Sequence, residues 1–399
     1  MKVIFYLYIA SVLYYVFRSS NKGTFYLFSP LITVYLTFVF SNIYPLIICE
    51  RIVPKSVVNV TIITCVIHML FLFVYKRQWG LFIRLRPPLI LREKTYMQSR
   101  WYIFIVFITL IVLSGFISGV TPALLVGGNV ENLRRTSEIG LGFIQNIPLL
   151  GIPIILLTYF LIKGRNISIV QACFVALSVG LVVYMATASR RGIANALVVF
   201  LIWLNFAYRN FKWYEYLFLF YFVQPVIATF LSLIRSAQNI SFEAFSFFAQ
   251  EVMIFNANTL KLAEWIEESK TYLLGYSFYY DIVSIIPRFL WPDKPISIDY
   301  YYKNVVGYEF DGGGIYTTRD YDLYMNFGYF YIFPYILWLT VVHIMYACII
   351  DKNSIYSTRI FCVVTFVSGF AIGALITRVE LYLLFLTIFY IFNNKWKIV

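Results

Sequence analysis

The run SVVNVTIITCVIHMLFLFVY, residues 56–75, decides the predicted fold. It contains no charged residue and is 20 residues long, which is about the length that a helix needs to cross a hydrocarbon core of ~30 Å. The segment that follows, KRQWGLFIRLRPPLILREKTYMQSR (76–100), is rich in arginine and lysine, as cytoplasmic loops are. Together they predict a membrane-spanning helix that leads into a cytoplasmic segment.

The composition of the whole chain points the same way. Hydrophobic residues make up 61% of the sequence and charged residues only 13%, which is outside the range of soluble globular domains. We therefore predict an all-α polytopic membrane protein with about eleven transmembrane helices, built as one membrane domain over residues 1–399. The helices are predicted at 3–17, 24–48, 56–75, 101–119, 147–162, 168–187, 193–208, 214–234, 329–350, 358–374 and 379–393.

The net charge of +13 is interpreted as membrane topology plus attraction to anionic lipid. It is not interpreted as a nucleic-acid-binding surface. The five cysteines are scattered without metal spacing, and the two histidines, His68 and His343, lie far apart in the sequence. Neither a metal site nor a cofactor is predicted.

One long hydrophilic segment, residues 235–322, is predicted to form a large external loop between the eighth and ninth helices. It contains IIPRFLWPDKP (285–295), whose three prolines exclude a regular helix. Residues 241–270 have a helical spacing of Phe245, Phe248 and Phe255, which predicts an amphipathic helix on the membrane surface or over the helical bundle. We expect the prolines to hold Arg288 and Lys294 over the mouth of an external cavity.

Arginines recur at the predicted external ends of the helices. Any one of them can be an interfacial anchor, but the positive-inside rule makes repeated external arginine unfavourable. Because guanidinium groups hold phosphates bidentately, the set suggests an anionic ligand such as a diphosphate. The set consists of Arg134, Arg135, Arg190, Arg191, Arg235, Arg288, Arg319 and Arg378, with carboxylates nearby at Asp320, Asp322 and Glu380.

Four motifs carry a resemblance to a known family. They are SRRG (189–192), GYSFYYDIVSIIPRFLWPDKP (275–295), GYEFDGGG (307–314) and DLYMNFGYFYIFPYIL (322–337). In this order they resemble the O-antigen and capsular repeat-unit polymerase family, over about residues 189–335. The late motif begins with Asp322, where that family more often has glutamate.

The resemblance implies a GT-C-like glycosyltransferase on the outer side of the cytoplasmic (inner) membrane. It would transfer a growing glycan from undecaprenyl diphosphate to a hydroxyl of the next lipid-linked repeat unit. Asp322 would be the base, while Arg288 with Arg190 or Arg191 would stabilise the leaving diphosphate. The expected substrate-binding residues are Arg134, Arg135, Arg235, Lys294, Arg319, Asn326, Arg378 and Glu380.

The partners that the resemblance implies are an undecaprenyl-diphosphate-linked oligosaccharide, membrane lipids and a chain-length-determinant co-polymerase. Two alternatives remain open. An O-antigen-ligase-like transferase would be favoured by a histidine in the large loop, and residues 235–322 contain none. A lipid-linked oligosaccharide flippase would be favoured by internal repeats, by charges deep inside several helices and by a chain without a large external domain, and none of these features is evident in the sequence.

Overall fold

The structure is a computed structural model of the 399-residue chain. It describes residues 2–20, 27, 30–43, 46–47, 53–82, 168–187, 191–207, 211–223, 257–269, 271–277, 279, 283, 290–293, 295 and 318–349. In chain order the α-helices are α1 (Lys2–Ser20), α2 (Pro30–Phe38), α3 (Lys55–Phe82), α4 (Ile169–Thr187), α5 (Arg191–Ala207), α6 (Trp213–Phe218), α7 (Ala257–Ser269), α8 (Arg319–Phe327) and α9 (Ile332–Ile349).

Three shorter segments interrupt or join these helices. A π-helical turn, Val39–Ile43, continues α2, and a second one, Leu219–Val223, continues α6. A 3₁₀ turn, Gly328–Tyr331, joins α8 to α9.

The chain divides into two compact units. The first comprises residues 1–88, 253–286 and 293–376, and the second comprises residues 89–252, 287–292 and 377–399. In the second unit, α4 and α5 pack along each other, and small or branched residues such as Ala172, Ala176 and Val199 are buried.

In the first unit, α3 is the central helix, because α1, α7, α8 and α9 all contact it. A polar row on α3 faces tyrosines of the C-terminal helices. Tyr321 bonds Ser56 (3.3 Å), Tyr331 bonds Thr64 (3.0 Å), and Tyr335 bonds the Nε2 atom of His68 (2.7 Å). We call these three pairs the tyrosine seam.

The spacing of the seam follows from helix geometry. Ser56, Thr64 and His68 are separated by multiples of four residues and therefore share one face of α3. The Tyr331 hydroxyl also donates to the Val60 carbonyl oxygen at 3.0 Å, which lies on the same face. The seam thus satisfies polar groups that would otherwise be buried without partners.

His68, the last α3 residue of the seam, lies among aromatic side chains. Its Nδ1 atom bonds the Tyr8 hydroxyl of α1 at 2.6 Å. The Tyr35 and Phe38 rings of α2 lie 4.6 and 5.0 Å from the imidazole, centroid to centroid. One fully buried histidine therefore joins α1, α2, α3 and α9.

The prediction of an all-α polytopic membrane protein with about eleven transmembrane helices and one large external loop is wrong. The described residues are helical. Among them, however, only the Lys55–Phe73 part of α3 is long and apolar enough to cross a membrane. The apolar parts of α4 and α5, Ile169–Leu181 and Ala196–Asn205, are shorter than a span.

The physical reason is that an apolar run does not tell what its residues face. The nine residues of α2 extend only about 14 Å at 1.5 Å per residue. Phe5, Tyr8, Val12 and Val16 of α1 are buried against protein. A core helix therefore carries the same composition as a membrane span.

The positions of several helices nevertheless follow the apolar runs. Helices α1, α3, α4, α5 and α9 each lie within a few residues of a predicted one, except that α3 continues to Phe82. The runs predicted at 101–119, 147–162, 358–374 and 379–393 lie outside the described residues, as do residues 241–256 of the predicted amphipathic helix.

The described end of that amphipathic segment, α7, offers a test of the fold. Its Glu267 side chain accepts a 2.7 Å hydrogen bond from the backbone N–H of Ser56, at the start of α3. Because the first N–H groups of a helix lack intrahelical partners, we expect Glu267→Ala to lower the free energy of unfolding by about 1 kcal/mol. Thermal unfolding of the purified chain measures this loss.

Glu268→Ala is the matched control, because Glu268 is exposed on the same helix turn and the substitution removes an identical side chain. It should leave the unfolding midpoint nearly unchanged. Equal effects of the two substitutions would contradict the docking of α7 on α3.

Candidate functional site

The motif that begins at Asp322 folds as a helix. Residues RDYDLYMNF form α8, with Thr318 as the N-terminal flanking residue and Gly328 as the C-terminal one. Asp320 and Asp322 both lie in the first turn, where negative charge interacts favourably with the helix dipole. The helical fold therefore brings two carboxylates to one helix end.

Asp322 forms an ion pair with Arg319 across one turn of α8. The Nη1 atom of Arg319 lies 2.9 Å from the Oδ2 atom of Asp322, and the two side chains are 16% and 12% exposed. This residual exposure leaves the pair within reach of a ligand at the surface. The pair joins a predicted base to a predicted substrate-binding residue, and its arginine orients the carboxylate.

Asp320 is in a different environment, with only 3% of its surface exposed. Its two carboxylate oxygens accept hydrogen bonds from the Nδ2 atom of Asn42 at 3.0 and 3.2 Å. Burial raises the pKa of the Asp320 carboxyl above its ordinary value, while hydrogen bonds from Thr318 and Asn42 oppose the rise. Desolvation disfavours the charged form and is the larger effect.

The C-terminal end of α8 is capped by a segment of the predicted loop. The backbone N–H groups of Leu273 and Leu274 donate to the carbonyl oxygens of Met325 and Asn326 at 2.9 and 3.1 Å. Carbonyls at a helix end have no intrahelical partner, so these bonds complete the helix. They bring the start of the GYSFYYD motif against the DLYMNFG motif.

Asn326 fastens the same two motifs by its side chain. Its Nδ2 atom donates to the Ser277 hydroxyl at 2.7 Å and to the Asp322 carbonyl oxygen at 2.8 Å. Its Oδ1 atom accepts the Ser277 backbone N–H at 3.4 Å. The residue is fully buried, so it holds the motifs together in this conformation and does not face an open site.

Gly328 permits the close approach of the loop. Its φ of +56° is unfavourable for residues with a Cβ atom. A Cβ atom at this position would also lie 3.0 Å from the ring of Tyr272, a loop residue whose ring packs edge-on against Tyr324. The glycine of the motif is therefore required by both backbone conformation and space.

The remaining predicted site residues either lie in the second unit or fall outside the described residues. Arg191 is the first residue of α5 in the second unit. Outside the described residues lie Arg134, Arg135, Arg190, Arg235, Arg288, Lys294, Arg378 and Glu380. The expectation that Arg288 with Arg190 or Arg191 stabilises the leaving diphosphate stays a prediction.

Sequence reasoning missed Asn42 and Ser277 as partners of the motif. Asn42 follows Ser41 in the turn VFSNI, and these two polar residues beside apolar neighbours were the one local signal. Nothing in the sequence relates it to Asp320, because the two residues are 278 positions apart. Among the residues that the structure describes, no group of His, Cys, Asp and Glu side chains could hold a metal ion.

Comparisons with protein-family models, curated proteins and solved structures find no match for this chain. The resemblance to repeat-unit polymerases therefore depends only on its motifs and on how they fold.

The junction at Gly328 generates a stability prediction. Gly328→Ala should be destabilising by more than the roughly 1–3 kcal/mol that a backbone conformation favouring glycine costs a residue with a Cβ atom, because the ring of Tyr272 must also move. Gly275→Ala is the matched control, since Gly275 has a φ of +90° but open space around it. Thermal unfolding should show the larger loss for Gly328→Ala.

A third variant separates the two contributions at Gly328. Adding Tyr272→Ala to Gly328→Ala removes the ring that the new Cβ atom meets, so the second substitution should cost less in this background than in the wild-type chain. A cost that is the same in both backgrounds would contradict the contact between Tyr272 and Gly328.

Asp320 generates a prediction about pH. Because its pKa is raised in the folded state, the folded chain binds the proton more tightly than the unfolded chain. Stability from this group is present below the unfolded pKa, near 4, and is lost as pH rises through the folded pKa. Asp320→Asn should remove this dependence, which unfolding midpoints measured between pH 4 and 8 will show.

Proposed function

We propose that this chain is a glycosyltransferase that joins undecaprenyl-diphosphate-linked repeat units into an O-antigen or capsular polysaccharide. The observation that carries the proposal is the direct contact between the two motifs of the resemblance. Asn326 of the DLYMNFG helix donates a hydrogen bond to Ser277 of the GYS turn, and the two residues are 49 positions apart in the sequence. Motifs of one active site are expected to meet in this way.

The ion pair between Asp322 and Arg319 on α8 supports the same chemistry. In the proposed reaction, a hydroxyl oxygen of the acceptor sugar attacks the anomeric carbon of the donor glycan. The bond from that carbon to the diphosphate oxygen breaks, and undecaprenyl diphosphate leaves with the electron pair. The hydroxyl proton passes to Asp322, whose carboxylate Arg319 orients at 2.9 Å.

General base catalysis of this kind contributes about 10²–10⁴-fold to a rate. The leaving diphosphate develops negative charge, which preorganised arginine side chains stabilise. Arg288 with Arg190 or Arg191 is the proposed source of that stabilisation. The scheme uses neither a metal ion nor a cofactor.

The lipid donor requires that the chain act at the cytoplasmic membrane. Exposed apolar side chains support this location, since Leu7 of α1, Leu70 of α3 and Phe333 of α9 are all largely solvent-facing in the isolated chain. Lipid contact would remove this apolar surface from water, which is favourable. The proposed partners are the lipid-linked oligosaccharide, membrane lipids and a chain-length-determinant co-polymerase.

The function is tested by replacing the proposed base. Asp322→Asn preserves the shape of the side chain but cannot accept the proton, so polymerisation should fall by about 10²–10⁴-fold. The assay incubates membranes that contain the full chain with a synthetic undecaprenyl-diphosphate repeat unit and separates the products on a gel. The wild-type chain should give a ladder of products.

Asp322→Glu is the informative control, because it restores the residue more usual in the resembled family and should retain activity. Binding of the lipid-linked substrate to Asp322→Asn should remain, since the charge of Arg319 is kept. A fully active Asp322→Asn chain would contradict the base assignment. A wild-type chain that makes a single transfer onto a lipid A core, with no ladder, would favour the ligase-like alternative.

A further inference from the structure

The motif helix α8 is held by a residue from the N-terminal part of the chain, far outside the region that resembles the polymerases. Asn42 lies in the π-helical turn Val39–Ile43 that follows α2. Short π-helical turns insert an extra residue into a helix and are frequent at functional sites. In this chain the turn carries a polar side chain into contact with the first turn of α8.

The contact is specific in its geometry. The Nδ2 atom of Asn42 lies 3.0 and 3.2 Å from the two oxygens of Asp320 and 3.4 Å from the Thr318 hydroxyl. All three residues are buried. A single amide therefore spans the residue that flanks α8 and the first buried carboxylate of the helix.

The orientation of the Asn42 amide leaves one of its atoms without a hydrogen bond in order to place the other against Asp320. Its Oδ1 atom is buried and finds no hydrogen-bond partner among the described residues, and an unpaired buried acceptor is unfavourable. Turning the amide over would place Oδ1 about 3 Å from the Asp320 carboxyl oxygens, where acceptors face each other. The Asp320 carboxyl oxygens thus favour the observed orientation of Asn42, with Nδ2 toward them.

We propose that Asn42 is a positioning residue for the carboxylate site of α8. By donating to both oxygens of Asp320, it fixes the first turn of α8, on which Asp322 and Arg319 stand. The inference rests on the proposed function, because positioning matters only if Asp322 is the base. It assigns part of the site to residues 39–43, which the resemblance does not include.

Asn42 and Asp320 allow the contact to be inverted. Asn42→Asp places two carboxylates within hydrogen-bond distance, where ionising both is unfavourable, so at low pH they share one proton. The pair should then hold at low pH and repel at higher pH. The exchange Asn42→Asp with Asp320→Asn restores one amide and one carboxylate in opposite places.

The first measurement is the thermal unfolding midpoint of the full chain in detergent at pH 6 and pH 8. Relative to the wild-type chain, the unfolding midpoint of Asn42→Asp should be lower at pH 8 than at pH 6. The exchange variant should recover most of this loss. Asn42→Ala should lower the midpoint at both pH values and, because it removes a hydrogen bond that lowers the Asp320 pKa, somewhat more at pH 8, but its pH dependence should be smaller than that of Asn42→Asp. If Asn42→Asp and the exchange variant show the same pH dependence, burial alone explains it and the contact is refuted.

Other titratable groups near Asp320 are common to all these variants. They are Tyr8 of α1, Cys65 of α3, Tyr321 of α8, Tyr331 of the 3₁₀ turn and Tyr335 of α9. Asn42→Ala retains all of these groups. Comparing the pH profile of Asn42→Asp with that of Asn42→Ala therefore removes their contribution.

The second measurement is the polymerisation rate. A misplaced catalytic group costs up to about 10²-fold in turnover, so Asn42→Ala should lower kcat by about 10- to 100-fold with little change in KM. Asn42→Asp should lose more activity at pH 8 than at pH 6. The exchange variant should recover most of the lost kcat.

Each departure from this pattern overturns the proposal in a different way. Wild-type kcat in Asn42→Ala would make the contact purely structural. Restored stability without restored kcat in the exchange variant would mean that the carboxylate is needed at position 320 itself. If the wild-type chain makes no polymer, the proposed function fails and the positioning role with it, while the unfolding measurements still decide whether Asn42 and Asp320 are in contact.

Discussion

The tyrosine seam is the interaction on which the first unit depends. Three tyrosine hydroxyls from α8, the 3₁₀ turn and α9 bond Ser56, Thr64 and His68 along one face of α3. Each bond aligns a C-terminal residue with an N-terminal one across more than 260 positions. A shift of α8 along α3 would leave several buried hydroxyls unpaired at once, which would be costly. The seam therefore sets the height at which α8 meets the rest of the unit.

The position of the candidate site follows from that alignment. With α8 held on α3, its first turn meets Asn42, and its last turn receives the backbone of residues 273–274. The two ends of the helix are thus bound by parts of the chain that are distant in sequence. Asp322 and Arg319 lie between these buried contacts and keep some exposure. A rigid support beneath a partly exposed polar pair is the arrangement that catalysis and binding need.

Local sequence patterns predicted the location of most described helices, because apolar runs depend only on neighbouring residues. They did not correctly predict the number of membrane-spanning helices. In α1, four tyrosines within the helix lower its hydropathy, and its buried face packs on α2 and α3. Whether an apolar residue faces lipid or protein depends on partners that a local pattern does not contain.

The sequence by itself determined that the described chain is helical, that α3 is apolar along a full membrane width, and that Asp322, Asn326 and Gly328 stand in one motif. Only the tertiary structure decided what these residues do. It buried Asn326 between two motifs, placed Gly328 against Tyr272, and paired Asp320 with Asn42. The reason is that these contacts join residues separated by tens to hundreds of positions, and hydrogen-bond partners at such separations are selected by packing and desolvation.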